Sequence, residues 1–546
     1  MKMNRKRALF TVLLLVLSVL IAVPGAHSGA AGTAGARTVM KVGVNNMAAQ
    51  WDPAARFSNN SMKMHSNMHD GLVRVDPYSP DLTPKPMLAV SWKQISSTAT
   101  EFRLREGVKF WDGSTVTAED VAWSFNRSIN KEYPAYTSYA YGRILYNFKQ
   151  VEVVNSTTVR VHTVKPEPLL FTILSQTPAA IVSKKAFEAM NKDYAKYVRS
   201  PVGCGPYKIK EFRDDEFLKL ERHEQYWGEP APLKELHYYL IPEATARITA
   251  LVNGEVDFAD SIPPDQAGTL QGRKGIKVLA SNPLLFHVYQ LNTNRHPLSD
   301  QKIRMAFNLA IDRELLNKSL WAGKGIVPTA FQHPSTPGYD PKWKLFEYNP
   351  EKARQLVREA KYDGTPIEME IPRYYYPYAE QAAEAIAKML QDVGLKAQVT
   401  FLEDYKSSGQ AAKDLKGYHM MRAWSNTASI PFEPIGIIPD WYPTDWPAST
   451  GLVRQWAPEG HPTLPKGEYR DKYVGLFQEA RYSADRNTRF QAFRKFVEHI
   501  HYDVTPWVVL YTPAEYYGMA EDIQWAVPPN YHPYTYPFRA GEIKFR

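Results

Sequence analysis

The stretch Phe102-Arg103-Leu104-Arg105-Glu106-Gly107-Val108-Lys109-Phe110-Trp111-Asp112-Gly113-Ser114-Thr115-Val116-Thr117-Ala118-Glu119-Asp120-Val121-Ala122-Trp123-Ser124-Phe125 carries most of the fold information in this chain. Phe102-Arg103-Leu104 alternates as a strand does, and Val108-Lys109-Phe110 reads as a second short strand before a turn at Trp111-Asp112-Gly113. Thr117 stands three residues before Asp120, the spacing of a capping box. Val121, Phe125 and Ile129 then recur every fourth residue and give the following helix its buried face.

The same alternation of strand and helix continues outward. Thr38 to Val44 reads as a first strand, and Met62 to Asp70 as a helix leading into Gly71-Leu72-Val73-Arg74-Val75. Ser299 is an expected N-cap for a helix carrying Ile303, Ala306, Phe307, Ala310 and Ile311 on one face. Asn349-Pro350 opens another, with proline at the first helical position, where its missing N–H costs nothing. Ala382, Ile386, Met389, Leu390 and Val393 mark a further helix, stopped by Gly394 and followed by a strand with Leu395, Ala397, Val399 and Phe401 on one face. Repeated helix-to-strand units imply a mixed α/β fold. From about Pro431 to Pro465 the sequence has no period and is rich in Pro, Trp, Asp and Gly, the composition of a long functional loop.

The N-terminus reads as an export signal. Lys2, Arg5, Lys6 and Arg7 precede an apolar run from Leu9 to Val23, broken by Pro24-Gly25 and followed by the small-x-small site Ala26-His27-Ser28. The run is short for a membrane span, which needs about 20 apolar residues. The expected division is a signal peptide at 1–28 and a flexible Gly/Ala stretch at 29–37. The formal charge is +9, and the signal segment holds four basic groups and no acids, so its removal leaves +5. With no dense basic run, nucleic-acid binding is disfavoured.

Cys204 is the only cysteine, so no intramolecular disulfide forms, and no cysteine follows the apolar run to take a lipid anchor. Between Gly203 and Gly205 it reads as a small packed residue, and the Gly203-x-Gly205 pair as a turn. No Gly-x-Ser-x-Gly elbow, His-Glu-x-x-His pair or Walker loop occurs. His65 and His69, four apart on a helix with Met62 and Met68 nearby, are a possible soft-metal pair, against a polar helix face lining a cleft. No cofactor is implied.

These segments, taken in order, resemble the family 5 extracellular solute-binding proteins, the peptide/nickel/oligosaccharide group that serves ABC importers. The matching blocks are Leu88–Trp92 with the 102–125 stretch; Pro201–Tyr207, where Cys204 replaces the usual Thr; Ile241-Pro242, Arg247 and Gly254–Asp257; and Asn292-Thr293, Pro297–Asp300, Ile303-Arg304, Ala306-Phe307 and Ala310–Arg313. The resemblance implies a two-lobed periplasmic-binding-protein fold of type II, cluster C-like, with an extra subdomain in the first lobe. Lobe one is then expected at 38–282, with the extra subdomain near 76–198, lobe two at 283–519, and a return to lobe one at 520–546.

It further implies a periplasmic, monomeric receptor that closes about a hinge on a small-molecule or peptide-like ligand. The receptor then delivers its ligand to the permease subunits of an importer. Peptide-binding relatives carry a Trp and then an Asp in a cleft loop, the Asp pairing with the peptide's free amine. Here Trp424 is followed by Ser425, Asn426 and Thr427, with Thr427 where that Asp would stand. Arg422 is placed to pair with a carboxylate or phosphate. Asn46, Trp51 and His65 are first-lobe candidates, because they follow the first strand and begin the next helix, and ligands sit beyond the carboxyl ends of strands. Competing readings are a secreted hydrolase acting on a glycoside or peptide, and a metal or metal-chelate receptor using His65 and His69.

Overall fold

The structure is a computed structural model. It describes residues 37–546 except 48–49, 56–58, 77–82, 134–135, 137–144, 294, 331–332, 336–338, 346, 373–376, 403–420, 428–467, 506 and 528–538. The expected signal segment and the Pro431–Pro465 stretch lie outside the described residues. No helix among the described residues is long and apolar enough to cross a membrane.

Two mixed sheets organise the chain. The strands are β1 (Val39–Val44), β2 (Val73–Val75), β3 (Pro84–Pro86), β4 (Ala89–Ser96), β5 (Ala99–Leu104), β6 (Phe148–Asn155), β7 (Thr158–Thr163), β8 (Tyr207–Arg213) and β9 (Phe217–Arg222). They continue as β10 (Glu235–Leu240), β11 (Phe258–Ile262), β12 (Ile276–Ser281), β13 (Leu285–Leu291), β14 (Ile367–Pro372), β15 (Ala397–Leu402), β16 (Met421–Thr427), β17 (Trp507–Tyr511) and β18 (Glu515–Ala520). The first-lobe sheet has the order β12-β18-β11-β1-β10-β9-β8, and the second-lobe sheet the order β15-β14-β16-β13-β17.

The extra subdomain is built on a four-stranded antiparallel sheet, β4-β5-β7-β6. Its helix α2 (Ala118–Ile129) starts at the expected capping box: Asp120 N donates to Thr117 Oγ1, and Thr117 N donates back to Asp120 Oδ2. Val121 and Phe125 are buried, and Asn126 bonds both the N–H and the C=O of Val151, which fastens the helix to edge strand β6. Val108–Phe110 does not form a strand; only an isolated bridge joins Lys109 to Thr115. The turn beyond it does form, with Gly113 at φ +80°.

Other local signals hold in the second lobe. Asn349 caps the helix Pro350–Glu359 through Lys352 N, and Gly394 (φ +93°) ends the helix Ala379–Asp392 one residue past its cap. The helix Gln301–Ala310 is capped by Asp300 rather than Ser299, whose position is one residue too early.

The turn at Gly203-Cys204-Gly205 owes its glycines to close approach. A Cβ on Gly203 would lie 2.5 Å from His69 Nδ1, and one on Gly205 2.5 Å from the Met68 carbonyl carbon. Cys204 between them is fully buried, as a packed residue should be, and burial pushes its thiol pKa up.

Candidate functional site

Two crossings join the sheets. β12 ends at Ser281 and β13 begins at Leu285; β17 ends at Tyr511 and β18 begins at Glu515. Because β18 already pairs with β11 and β12, the chain re-enters the first-lobe sheet at Glu515, ahead of the return expected at 520. The crossings are bound to one another: Thr512 Oγ1 donates to Leu285 O at 2.8 Å, and Asn282 Nδ2 donates to Pro513 O at 3.2 Å and Lys324 O at 2.9 Å. Two short strips fastened side by side make a hinge in which a few φ/ψ changes can swing one sheet against the other.

Register shows what faces that hinge. β1 runs parallel to β10 and β11, so Val44, Leu240 and Ile262 end on one edge of the first-lobe sheet. Ile262 pairs with Tyr516, and Ser281 pairs with Glu515, which puts that edge at the crossings. In the second lobe β14 runs parallel to β15 and β16, and Thr427 pairs with Leu285, the first residue past the crossing. Carboxyl ends of parallel strands in both sheets therefore converge on the hinge, where open α/β sheets bind ligands.

The sequence-derived candidates separate on this geometry. Asn46 follows β1 and is exposed at the first-lobe edge. Arg422, Trp424, Ser425, Asn426 and Thr427 lie not on a loop but within β16, the central strand of the second-lobe sheet, with Trp424 opposite Val288 and Thr427 at the hinge edge. The residues after Thr427 lie outside the described residues.

Trp51 and His65 are buried rather than open at that edge. Both are about 1% exposed, in the first-lobe core with Met64, Met68, Leu218 and Tyr207. The Trp51 ring meets Phe212 edge-on at 5.9 Å and His65 at 5.9 Å, and its backbone N–H donates to Val198 O. Position after a strand suggested a cleft wall, but apolar partners from β8 cover the ring.

His65 and His69 lie in helix α1 (Asn59–Met68) and just past its end, with rings stacked 5.8 Å apart. His69 Nε2 contacts Trp51 O at 3.0 Å. No group of three or more His, Cys, Asp or Glu suited to a metal occurs among the described residues. Burial is the largest cause that lowers the pKa of His65 to about 4 and of His69 to about 3, so both rings are neutral at pH 7.

In the unfolded chain these rings titrate near 6.5, so below that pH the unfolded state binds more protons than the native state. Stability is therefore whole above about pH 6.5 and is lost as pH falls toward 3. Each pH step of one below 6.5 costs about 1.4 kcal/mol for each ring that stays neutral in the fold. Urea midpoints measured from pH 7 to 4.5 should therefore fall by an amount worth several kcal/mol. His65→Gln should flatten that slope; a midpoint constant with pH in the wild type would contradict it.

A profile of the bacterial extracellular solute-binding proteins, family 5, matches residues 83–447. The chain belongs to that family. The glutathione-binding protein GsiB of Shigella dysenteriae serotype 1 (strain Sd197) is 27% identical over 469 residues, covering 84% of this chain and 86% of its own. GsiB of Escherichia coli (strain K12) is 29% identical over 368 residues, covering 67% of this chain and 69% of its own.

Among solved structures, the periplasmic binding protein DppA from Helicobacter pylori with the peptide STSA superposes with a TM-score of 0.80 at 23% identity, covering 93% of this chain and 98% of that one. AgaA from A. tumefacien R10 with agropinic acid does so with a TM-score of 0.76 at 22% identity, covering 93% and 99%. The two-lobed fold is thus shared with binding proteins that hold a peptide and agropinic acid. The chain is the substrate-binding component of an ABC importer. Its relatives are binding proteins rather than enzymes.

Proposed function

We propose that this protein is an exported, monomeric receptor for a short peptide-like solute such as glutathione, held without catalysis. The observation that carries this reading is the convergence of strand carboxyl ends from both sheets on a two-strip hinge. The solute class is drawn from the curated relatives, named for glutathione, and from neighbours holding peptides. Asn46 from the first lobe and Thr427, at the hinge end of β16, would border the grip, while Arg422, Trp424, Ser425 and Asn426 lie back from that edge along the same strand. Export rests on the basic and apolar N-terminal segment.

Calorimetric titration with reduced glutathione, the dipeptide Met-Leu and nickel–histidine tests the reading. One peptide-like probe should bind one per chain, raise the melting temperature by mass action, about 2.7 kcal/mol at a hundredfold excess over Kd, and be recovered unchanged. Stabilisation by nickel–histidine alone, or hydrolysis of the probe, would overturn it.

A further inference from the structure

The solute reading above leaves one requirement unmet: a peptide-like solute carries an ammonium, and Thr427 offers it no charge. The first-lobe edge of the hinge carries carboxylates instead. Glu515 is the first residue past the second crossing, paired with Ser281 at the end of β12. On the adjacent strand, Asp260 is 1% exposed and receives Lys63 Nζ at 2.6 Å on Oδ2, while its Oδ1 is buried without a partner. Tyr517, two residues along β18, donates its hydroxyl to Glu515 Oε2 at 2.7 Å. No other group among the described residues donates to Glu515, so Oε1 is left over.

The nearby cations are engaged elsewhere. Lys63 Nζ is bonded to Asp260 and acts on Glu515 only through its charge. Arg247 donates to the carbonyls of Asp260, Ser261, Ile241 and Pro242, which holds Ser261 at φ +50° and ties down the carboxyl end of β11. Burial is the largest influence on Glu515 and raises its pKa despite Lys63, as expected of a carboxylate short of a counter-charge. An arriving ammonium supplies that charge and a strong, charge-assisted hydrogen bond.

Distance suits the solute. Ser281, opposite Glu515, and Leu285, opposite Thr427, are four residues apart, at most about 14 Å of extended chain. Ser281 and Leu285 flank one short crossing, so the strand ends paired with them, at Glu515 and Thr427, border the same hinge, and a solute of tripeptide length, roughly 10 Å, is of the size this region must bridge. We propose that Glu515, positioned by Tyr517 and backed by the Asp260–Lys63 pair, receives the ammonium of the solute from the first lobe.

The test is calorimetry on the full mature chain, wild type and Glu515→Gln, with reduced glutathione and Met-Leu, each in free-amine and N-acetylated form. Wild type should prefer the free amines tenfold or more. Glu515→Gln should lose ten- to a hundredfold for the free amines and leave the acetylated forms unchanged, which erases the preference. An equal loss for both forms, as a structural role would give, overturns the proposal, and so does an unchanged preference. Should Glu515→Gln fail to fold, Tyr517→Phe must still reduce the preference; if it does not, the proposal fails. Wild type binding none of these probes would sink the solute reading itself, and this inference with it.

Discussion

Glu167→Gln should remove about 3–5 kcal/mol of stability and weaken solute binding with it. Glu167 follows β7 in the extra subdomain, whereas Arg481 lies in the second-lobe helix Glu468–Tyr482. The two meet as a bidentate pair, Nη1 to Oε1 at 2.6 Å and Nη2 to Oε2 at 2.7 Å, at 0% and 1% side-chain exposure. Arg481 Nε also donates to Tyr146 Oη, and Asn147 Nδ2 and Leu169 N donate to the carboxylate. Glutamine keeps the shape but leaves a buried guanidinium without its counter-charge, the costly half of breaking an ion pair.

Because this pair joins the lobes, its loss should also cost affinity for the solute by disfavouring the arrangement in which they touch. Removing both charges, as Glu167→Gln with Arg481→Met, should recover most of the stability, since a buried pair and an apolar replacement are often near parity. Urea unfolding checks the first effect and calorimetry the second. A destabilisation under about 1 kcal/mol would contradict the expectation.

Asp52→Asn should cost a similar amount, about 3–5 kcal/mol, but spare the affinity. Asp52 takes both Nη atoms of Arg127 at 2.6 Å, the Tyr194 hydroxyl at 3.0 Å and the Ala54 N–H, with both charged side chains fully buried. Arg127 lowers the Asp52 pKa against the opposing influence of burial, so the pair is ionised. It links the segment after β1 to α2, both within the first lobe, and closure does not strain it. Solute affinity that fell as far for Asp52→Asn as for Glu167→Gln would mean that both act only through folding.

How much of this was legible in the sequence follows from how local each signal is. The Thr117–Asp120 box, the Asn349-Pro350 start and the Gly394 stop each involve residues within a turn of one another, and the structure has all three. Ser299 and Asp300 are both competent caps, and only the helix register chooses Asp300. The burial of Trp51 was not legible because one ring that packs on it, Phe212, comes from β8, far along the chain.

The charged pairs escaped for the same reason. Asp52–Arg127, Lys63–Asp260 and Glu167–Arg481 are 75, 197 and 314 residues apart, and no pattern in composition or period connects them. Glu515 has no motif of its own. It gains meaning only once the crossing at 512–514 and its register with Ser281 are known. The lack of an acid between Trp424 and Thr427, by contrast, was visible from the sequence, and it is what directs attention to Glu515.

Small-angle scattering of the mature chain, titrated with reduced glutathione and Met-Leu, tests most directly whether this is a two-lobed clamp for a peptide-like solute. Saturation with one bound probe per chain should shrink the radius of gyration in step with the calorimetric isotherm. Binding that leaves the radius unchanged, or no binding by either probe, would contradict it.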